Sequence, residues 1–432
     1  FLCVEPSGRN VFGNQYERVL PASSVANLFP FNYSGKTDSH GFYLGRDKFG
    51  SNIIVDFDKR EDDKTNPCIL ILGNSGQGKS YLLKLILCNI LESGKAVICL
   101  DPEHEFAELT ENLGGCFIDL MSGQYIINPL EPKSWDDGSS VHDKEAPMTF
   151  RQATKLSQHI SFLKDFFRCY KDFTDKHIDV IEIMLSKLYT KWNISDHTDF
   201  TSLEPKQYPI LSDLYNLITE EYKGYDTSKH QLYTEELLQE ILLGLHSMCK
   251  GAESKFFNGH TNVTSDRFIV FGVKGLLQAS KNVKNALLFN VLSFMSDKLL
   301  TEGNTAAAID ELYLFLTNLT AIEYIRNFTK RVRKKESSVI LSSQNLEDFN
   351  IEGIREMTKP LFSIPTHQFL FNAGAVDARF YMDTVNLEES EYKLIKLPQR
   401  GVCLYKCGNE RYNLVVHAPA YKEKLFGKAG GR

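Results

Sequence analysis

Eight consecutive residues in the first quarter of the sequence have the types and spacing that hold a phosphate group. The segment Gly73–Ser80 is G-N-S-G-Q-G-K-S and matches the pattern G-x-x-x-x-G-K-[ST]. Its glycines let the backbone curl so that N–H groups face phosphate oxygens, and the N-terminus of a following helix adds positive charge. The apolar run Cys68–Leu72 precedes the segment, and apolar residues at helical spacing follow it. This context predicts a P-loop that binds ATP.

Two side chains of this loop have predicted roles in phosphoryl chemistry. We expect Lys79 to reach the β- and γ-phosphates and to act in catalysis, and we expect Ser80 to ligate Mg²⁺. The nucleotide-binding residues predicted in this segment and directly after it are Gly73, Asn74, Ser75, Gly76, Gln77, Gly78, Lys79, Ser80 and Tyr81.

A second set of candidate residues follows Ala306–Ile309, a run of small and apolar residues with the composition of a buried strand. Asp310 would complete the Mg²⁺ shell, and Glu311 would orient and activate an attacking water. Two adjacent acids at a strand end favour water as the phosphoryl acceptor over a small molecule. The alternative is a pair of acids at a helix N-terminus, which the helix macrodipole favours without any catalytic role.

Polar residues also follow two other predicted strands. Gln344 ends the strand that begins at Ser338, and its amide could sense the γ-phosphate through a water, although it could equally be an ordinary loop residue. Asp101 and Glu103 follow the strand Ala96–Leu100, and we expect them to bind near the Mg²⁺ or the water. Ligands of open α/β sheets lie beyond the carboxyl ends of the strands, which favours both predictions.

A basic run, Lys330–Lys335, ends the predicted helix that starts at Leu312. One interpretation is an arginine finger that reaches the nucleotide of a neighbouring subunit, with Arg331 or Arg333 as the catalytic group. A second is a stripe that faces DNA. A third is electrostatic stabilisation of the helix C-terminus alone. The residues themselves leave these alternatives open.

The elements around these motifs alternate between strands and helices. A strand, the glycine loop, the helix Lys79–Leu91 and the strand Ala96–Leu100 form a βαβ unit, which predicts a parallel sheet. Residues 149–260 show helical spacing without strong strand patterns. Alternation resumes at Arg267, with strands predicted at 267–273, 306–309, 338–342 and 362–371, and with a hairpin over 401–417.

We therefore predict an α/β fold in which an inserted all-helical domain interrupts a P-loop core with a mostly parallel sheet. The predicted division is an N-terminal connector at 1–40, the first part of the core at 41–148, the helical insertion at 149–260 and the second part of the core at 261–432. The polar stretch 131–148 is the predicted boundary loop, and 428–432 is a predicted frayed tail.

Composition narrows the class of protein. The 432 residues are 42% hydrophobic and 24% charged, as in an ordinary globular protein. The net charge of −6 disfavours a surface coated for nucleic acid, although it leaves room for a local basic channel. The nine cysteines are scattered without a C-x-x-C pair, which predicts reduced thiols in a cytosolic compartment. We find no apolar stretch of the length that a transmembrane helix needs.

Taken together, these motifs resemble those of the HerA/FtsK superfamily of hexameric P-loop motors. More closely, the chain is similar to the large ATPase of type IV secretion and conjugation systems, the VirB/TraC/TraE-type family. The resemblance includes the P-loop, Asp101-Pro-Glu103, Asp310-Glu311 and the basic helix that leads to Ser342-Ser-Gln344. Supporting segments are Val19–Pro30, Leu44–Asp47 and Asn128–Leu130.

The resemblance implies a RecA-like core and the C-terminal ATPase half of a longer protein, consistent with a sequence that starts at Phe1. It implies a Mg²⁺-dependent ATPase that energises pilus assembly and substrate transfer. Its expected partners are further copies of itself, commonly in a hexamer, and other secretion-system subunits at the cytoplasmic face of the bacterial inner membrane. Arg333, with Arg331 close behind, matches the family's trans-acting arginine, and Gln344 matches its sensor glutamine.

Two other functions share this core. A DNA translocase or conjugation coupling ATPase would show DNA-stimulated turnover, so DNA is a conceivable partner that the motifs do not require. An assembly scaffold regulated by nucleotide would bind ATP with little turnover, and Glu311 disfavours it because a pure binder does not need that acid.

Overall fold

A computed structural model describes residues 20–27, 35–133 and 154–428, except for 201, 227, 229–231, 264–265, 317, 345 and 352. Several predicted segments lie partly outside these residues. They are most of the connector 1–40, most of the boundary loop 131–148, the first residues of the helical insertion 149–260, and the tail after 428.

Among the described residues, twelve strands form one mixed sheet. They are β1 (Lys36–Thr37), β2 (Phe42–Asp47), β3 (Asn52–Val55), β4 (Ile69–Leu72), β5 (Ala96–Asp101), β6 (Cys116–Asp119), β7 (Phe268–Gly272), β8 (Thr305–Ile309), β9 (Ser338–Ser343), β10 (His367–Leu370), β11 (Val402–Cys407) and β12 (Glu410–Val416). Their order across the sheet is β1-β3-β2-β12-β11-β10-β4-β9-β8-β5-β7-β6. The run from β10 to β6 is parallel, whereas β11, β12, β2 and β3 pair antiparallel.

The structure also describes helices before, between and after these strands in the chain. They are α1 (Ala22–Asn27), α2 (Lys79–Glu92), α3 (Ala107–Asn112), α4 (Lys155–Tyr170), α5 (Asp175–Lys191), α6 (Leu211–Lys223), α7 (Glu235–Cys249), α8 (Ser254–Phe257), α9 (Lys281–Asp297), α10 (Leu319–Arg331), α11 (Ile354–Ser363), α12 (Ala378–Val385), α13 (Glu389–Ile395) and α14 (Ala420–Glu423).

Both faces of the central strands are buried, and successive residues serve opposite faces. In β4, Leu70 and Leu72 join one apolar cluster, whereas Ile69 and Ile71 join the other. The second cluster also contains α2, and the first extends through α4 to α9. A parallel sheet covered on both faces needs strands that are buried throughout, and every residue of β4 and β8 is buried.

The helical segment between β6 and β7 confirms the predicted interruption of the α/β fold. Side-chain caps define where several of its helices begin: Thr154 accepts a hydrogen bond from the Ser157 N–H, and Thr234 accepts one from the Leu237 N–H. Its apolar side chains belong to the same cluster as one face of the sheet. The helical segment therefore covers that face, and the division of the chain into domains stays a prediction.

Two local predictions were wrong. The predicted helix from 312 to 335 is broken: a 3₁₀ turn spans Leu312–Phe315, Asn318 caps α10 through the Ala321 N–H, and a second 3₁₀ turn follows at Val332–Lys335. The predicted strand 362–371 is helical at its start, because α11 extends to Ser363. Short apolar runs do not distinguish a buried helix from a strand, and here the strand begins only after Pro365.

Two further features concern the helices and the cysteines of the described residues. No helix among them combines the length and apolar character needed to cross a membrane. The cysteines within the described ranges are free thiols, and Cys403 and Cys407 are buried in β11.

The buried side chain of His367 in β10 makes the stability of the fold depend on pH. It is buried, and its Nδ1 lies 2.8 Å from the Tyr405 hydroxyl oxygen. Burial lowers the pKa of His367 from 6.5 to about 3, so the folded protein holds the neutral ring while the unfolded chain protonates near 6.5. The stability from this residue is therefore fully present above pH 6.5 and is lost as the pH falls toward 3.

We expect protonation of His367 in the unfolded chain to lower the free energy of unfolding of the wild type by about 2 kcal/mol when the pH falls from 7 to 5. The variant His367→Gln should lose that much less over the same interval, because it has no ring to protonate. Urea unfolding at both pH values measures the difference. Exposed His197→Gln serves as the control, and an equal acid loss in both variants would contradict the assignment.

Candidate nucleotide site

The glycine loop follows β4 in a shape that close packing enforces. A Cβ atom on Gly73 would lie 2.4 Å from the Phe371 Cβ, so only glycine fits beside the segment that follows β10. Gly78 has a φ of 103°, which favours glycine, and α2 begins at the next residue. The Asn74 N–H donates to the Asn372 carbonyl at 2.8 Å. The loop is thus held against the end of the neighbouring strand.

Lys79 is the cation at the centre of the site. Its side chain is only 7% exposed, and its Nζ donates to the Asn74 carbonyl oxygen at 3.0 Å. Burial lowers the pKa of Lys79, and the nearby carboxylates of Glu311, Asp310 and Glu105 oppose that shift. These acids therefore stabilise a buried ammonium in the position from which a P-loop lysine reaches phosphate oxygens.

The two acids after β8 meet Lys79 because of strand order. Strand β9 pairs with both β4 and β8, so the three parallel strands end at the same edge of the sheet. Asp310 is buried, and burial together with Glu311 raises its pKa to about 7. A buried carboxylate of this kind gains most from a nearby cation.

Glu311 is held in an uncommon conformation. Its φ is 57°, in the left-handed region that costs a residue with a side chain free energy. The Gln344 Nε2 donates to its Oε1, while its Oε2 is buried without a hydrogen-bond partner among the described residues. Burial raises the pKa of Glu311, and the Gln344 bond opposes that rise. One carboxylate oxygen is thus anchored, and the other is available for a bound group.

Asp101 serves the backbone of the loop after β5. Its carboxylate accepts N–H bonds from Glu103 at 3.2 Å, from Glu105 at 3.1 Å and from Phe106 at 2.9 Å. The Glu103 side chain is 56% exposed and lies 3.8 Å from the Lys274 ammonium. Glu105, by contrast, lines the cavity beside the P-loop. The nucleotide-binding roles of Asp101 and Glu103 stay predictions.

A cavity of about 470 Å³ opens beside the glycine loop. Its walls combine P-loop residues with residues from the Gln344 end of β9 and from the C-terminal hairpin. The lining residues are Ser75, Gly76, Gly78, Lys79, Ser80, Tyr81, Glu105, Gln344, Arg400, Gly401, Val416, His417 and Glu423. The Tyr81 hydroxyl donates to the Glu423 carboxylate at 2.6 Å, which fixes one wall.

The structure does not bring Arg331 and Arg333 to this cavity. Helix α10 runs from the carboxyl end of β8 to the start of β9, so its C-terminus lies at the opposite edge of the sheet. Arg331 is the last residue of α10, and exposed Arg333 lies in the following 3₁₀ turn. Neither can reach the nucleotide of its own subunit from that edge, and their action in trans stays a prediction.

Sequence reasoning missed the contribution of the C-terminal hairpin. Strand β11 runs antiparallel to β10, so the residues just before it, Arg400 and Gly401, lie at the edge where β4 ends. Nothing in the local pattern Gln399-Arg400-Gly401 indicates this position. Only the pairing of β10 with β4 reveals it.

The donor groups suit a hard divalent cation. Ser80 offers a hydroxyl oxygen and Asp310 a buried carboxylate, and oxygen ligands of this kind are those that Mg²⁺ prefers. The partnerless Oε2 of Glu311 adds an acceptor that can hold a water. The residues present therefore fit a magnesium nucleotide.

The fold and the site together define an ATP-binding P-loop NTPase with a RecA-like α/β core. The model of a protein family described as "Helicase HerA, central domain" matches residues 66–298 of this chain. VirB4 of Thermoanaerobacter pseudethanolicus, a solved structure, is 30% identical with a TM-score of 0.78, over 90% of this chain and 100% of that one. An uncharacterised protein of Bacillus anthracis is 23% identical over 95% of this chain and 69% of its own length.

Protein TraC of Escherichia coli K12 is 20% identical over 83% of this chain, which spans 38% of the length of TraC. The chain belongs to the HerA central-domain family and, within it, to the VirB4/TraC type of type IV secretion ATPases.

A substitution of Asp101 tests whether its carboxylate stabilises the fold by accepting hydrogen bonds from the loop after β5. We expect Asp101→Ala to lower the free energy of unfolding by about 2–3 kcal/mol, because three buried or half-buried N–H groups lose their acceptor. Urea unfolding measures this change, with exposed Asp383→Ala as the control. A loss of nucleotide affinity without any loss of stability would indicate a ligand-binding role instead.

Proposed function

We propose that this chain is a Mg²⁺-dependent ATPase motor subunit that energises type IV secretion or conjugative transfer, including pilus assembly and substrate translocation. The observation that carries the proposal is the convergence of Lys79, Asp310, Glu311 and Gln344 at the carboxyl ends of three adjacent strands. The membership in the VirB4/TraC type supports the biological setting.

The proposed site provides charge where phosphoryl transfer needs it. Ser80 and Asp310 would hold Mg²⁺, which supplies positive charge against the phosphate oxygens. Lys79 would donate hydrogen bonds to the β- and γ-phosphates from its buried position. The raised pKa of Asp310, which reflects burial first and Glu311 second, favours its pairing with a cation.

Glu311 and Gln344 would prepare the water. The free Oε2 of Glu311 accepts a hydrogen bond from the water and takes its proton, while the raised pKa of the carboxyl group makes it a stronger base. Gln344 holds the other oxygen and so fixes the direction of the carboxylate. Positioning of this kind and charge stabilisation account for most catalysis of phosphoryl transfer.

The remaining parts of the proposal concern assembly. We infer that the subunits form a ring, commonly a hexamer, in which Arg333, or Arg331 close to it, reaches the neighbour's nucleotide. The ring would dock on other secretion subunits at the cytoplasmic face of the inner membrane. We also propose the division into a connector at 1–40, a core at 41–148 and 261–432, and a helical insertion at 149–260.

A second candidate function is a DNA translocase or coupling ATPase on the same core. The exposed basic residues of the 3₁₀ turn after α10 favour it, because such a patch can contact phosphates of a nucleic acid. The overall charge of −6 disfavours a large DNA footprint. A nucleotide-regulated scaffold is the third, and turnover separates it from both motors.

The first experiment measures ATP turnover per subunit over a range of protein concentrations, with and without double-stranded DNA. We expect turnover to rise with concentration and not with DNA, because a neighbour's arginine completes the site. Arg333→Ala should lower turnover by about 10³-fold at high concentration, and mixing with Lys79→Ala subunits should restore part of it. Strong DNA stimulation would favour the translocase, near-zero turnover everywhere would favour the scaffold, and no rescue by mixing would contradict action in trans.

A second test examines whether Glu311 takes the proton of the attacking water. We expect Glu311→Gln to lower turnover by about 100-fold or more, with ATP affinity retained, because the amide cannot accept the proton. Lys79→Ala should lose ATP binding itself, and exposed Glu356→Gln on α11 should match the wild type. Fluorescent-nucleotide titration and phosphate release give the two readouts. Unchanged turnover in Glu311→Gln would remove it as the base.

A further inference from the structure

Arg400 occupies an unusual place in the cavity. It lies in the turn between α13 and β11, and its exposed side chain lines the same cavity as Lys79 and Ser80. Among the described residues, its guanidinium forms no ion pair or hydrogen bond. An arginine at the wall of an anion-binding cavity is thus left with all its donors available.

The backbone beside Arg400 is tied directly to the glycine loop. The Gly401 N–H donates to the Gln77 carbonyl at 2.8 Å, and the Val416 N–H donates to the Gly401 carbonyl at 2.8 Å. A Cβ on Gly78 would lie 3.3 Å from the Gly401 nitrogen, so the two loops are in close contact. The arginine is therefore one residue from a hydrogen bond that fixes it relative to the P-loop.

Arg400 adds positive charge to a cavity in which the charge of Lys79 is already opposed by carboxylates. Lys79 faces three carboxylates, those of Glu311, Asp310 and Glu105, so its positive charge is already opposed. A nucleoside triphosphate brings several more negative charges. The planar guanidinium can donate two parallel hydrogen bonds to phosphate oxygens, a geometry that lysine cannot reproduce.

We propose that Arg400 contacts the phosphates of the nucleotide bound in its own subunit, as a binding residue that acts in cis. This inference rests on the proposed binding of ATP at the P-loop. It differs from the trans role proposed for Arg333, which lies at the opposite edge of the sheet from the P-loop. The C-terminal hairpin thereby becomes part of the nucleotide site.

The test uses a fluorescent ATP analogue, titrated against dilute protein at concentrations where turnover shows no assembly. We expect Arg400→Gln to weaken binding by about tenfold or more, since a lost hydrogen bond to a charged group has an effect of that size. Arg400→Lys should fall in between, because it keeps the charge and loses the fork. Exposed Arg379→Gln on α12 is the matched control and should bind like the wild type.

Displacement by inorganic tripolyphosphate identifies the part of the nucleotide that Arg400 contacts. We expect tripolyphosphate to compete about tenfold less well against Arg400→Gln than against the wild type, in parallel with ATP. Equal competition by tripolyphosphate, with ATP binding alone weakened, would overturn a phosphate contact and indicate the base or ribose.

The remaining outcomes separate this inference from the proposed function. Arg400→Gln binding that equals the wild type would overturn the inference and leave the P-loop assignment intact. A defect that appears only at high protein concentration would overturn the cis role. A wild type that binds no better than Lys79→Ala would overturn both. Equal thermal unfolding midpoints of the variants confirm that folding is unchanged, as expected for an exposed position.

Discussion

The parallel alignment of β4, β9 and β8 is the constraint on which the rest of this protein depends. Because the three strands run side by side in one direction, the loops after them open at one edge. Lys79, Gln344 and Glu311 come from segments far apart in the chain, yet they meet there. Every residue of these three strands is buried, so other elements of the chain must cover both faces of the sheet.

Charge balance at that edge follows from the same alignment. Burying Lys79 costs solvation, and the surrounding carboxylates offset that cost. Burial also disfavours the charged form of Asp310, and together with Glu311 it raises the pKa of Asp310 to about 7. Glu311 has a left-handed backbone, and its carboxylate accepts a hydrogen bond from Gln344. The site is thus a set of mutually compensating buried charges that suits the binding of a magnesium triphosphate.

The long helical segment and the C-terminal hairpin extend the core in different ways. The helices α4 to α9 share one apolar cluster with a face of the sheet. The hairpin continues the sheet itself through β11, which pairs with β10, and so brings Arg400 to the P-loop. A parallel sheet extended by antiparallel strands gives the nucleotide site a wall from the opposite end of the sequence.

The sequence by itself determined the P-loop, the acidic strand end and the α/β class, because each depends on a short pattern. The glycines before Lys79 permit the tight backbone turn of a P-loop, and the apolar run before Asp310 is typical of a buried strand that ends in an acid. Only the tertiary structure decided that Asp101 caps a loop, that Glu105 lines the cavity and that Arg400 reaches it. Those outcomes depend on which strands pair and where side chains of distant segments meet, and no local spacing encodes that.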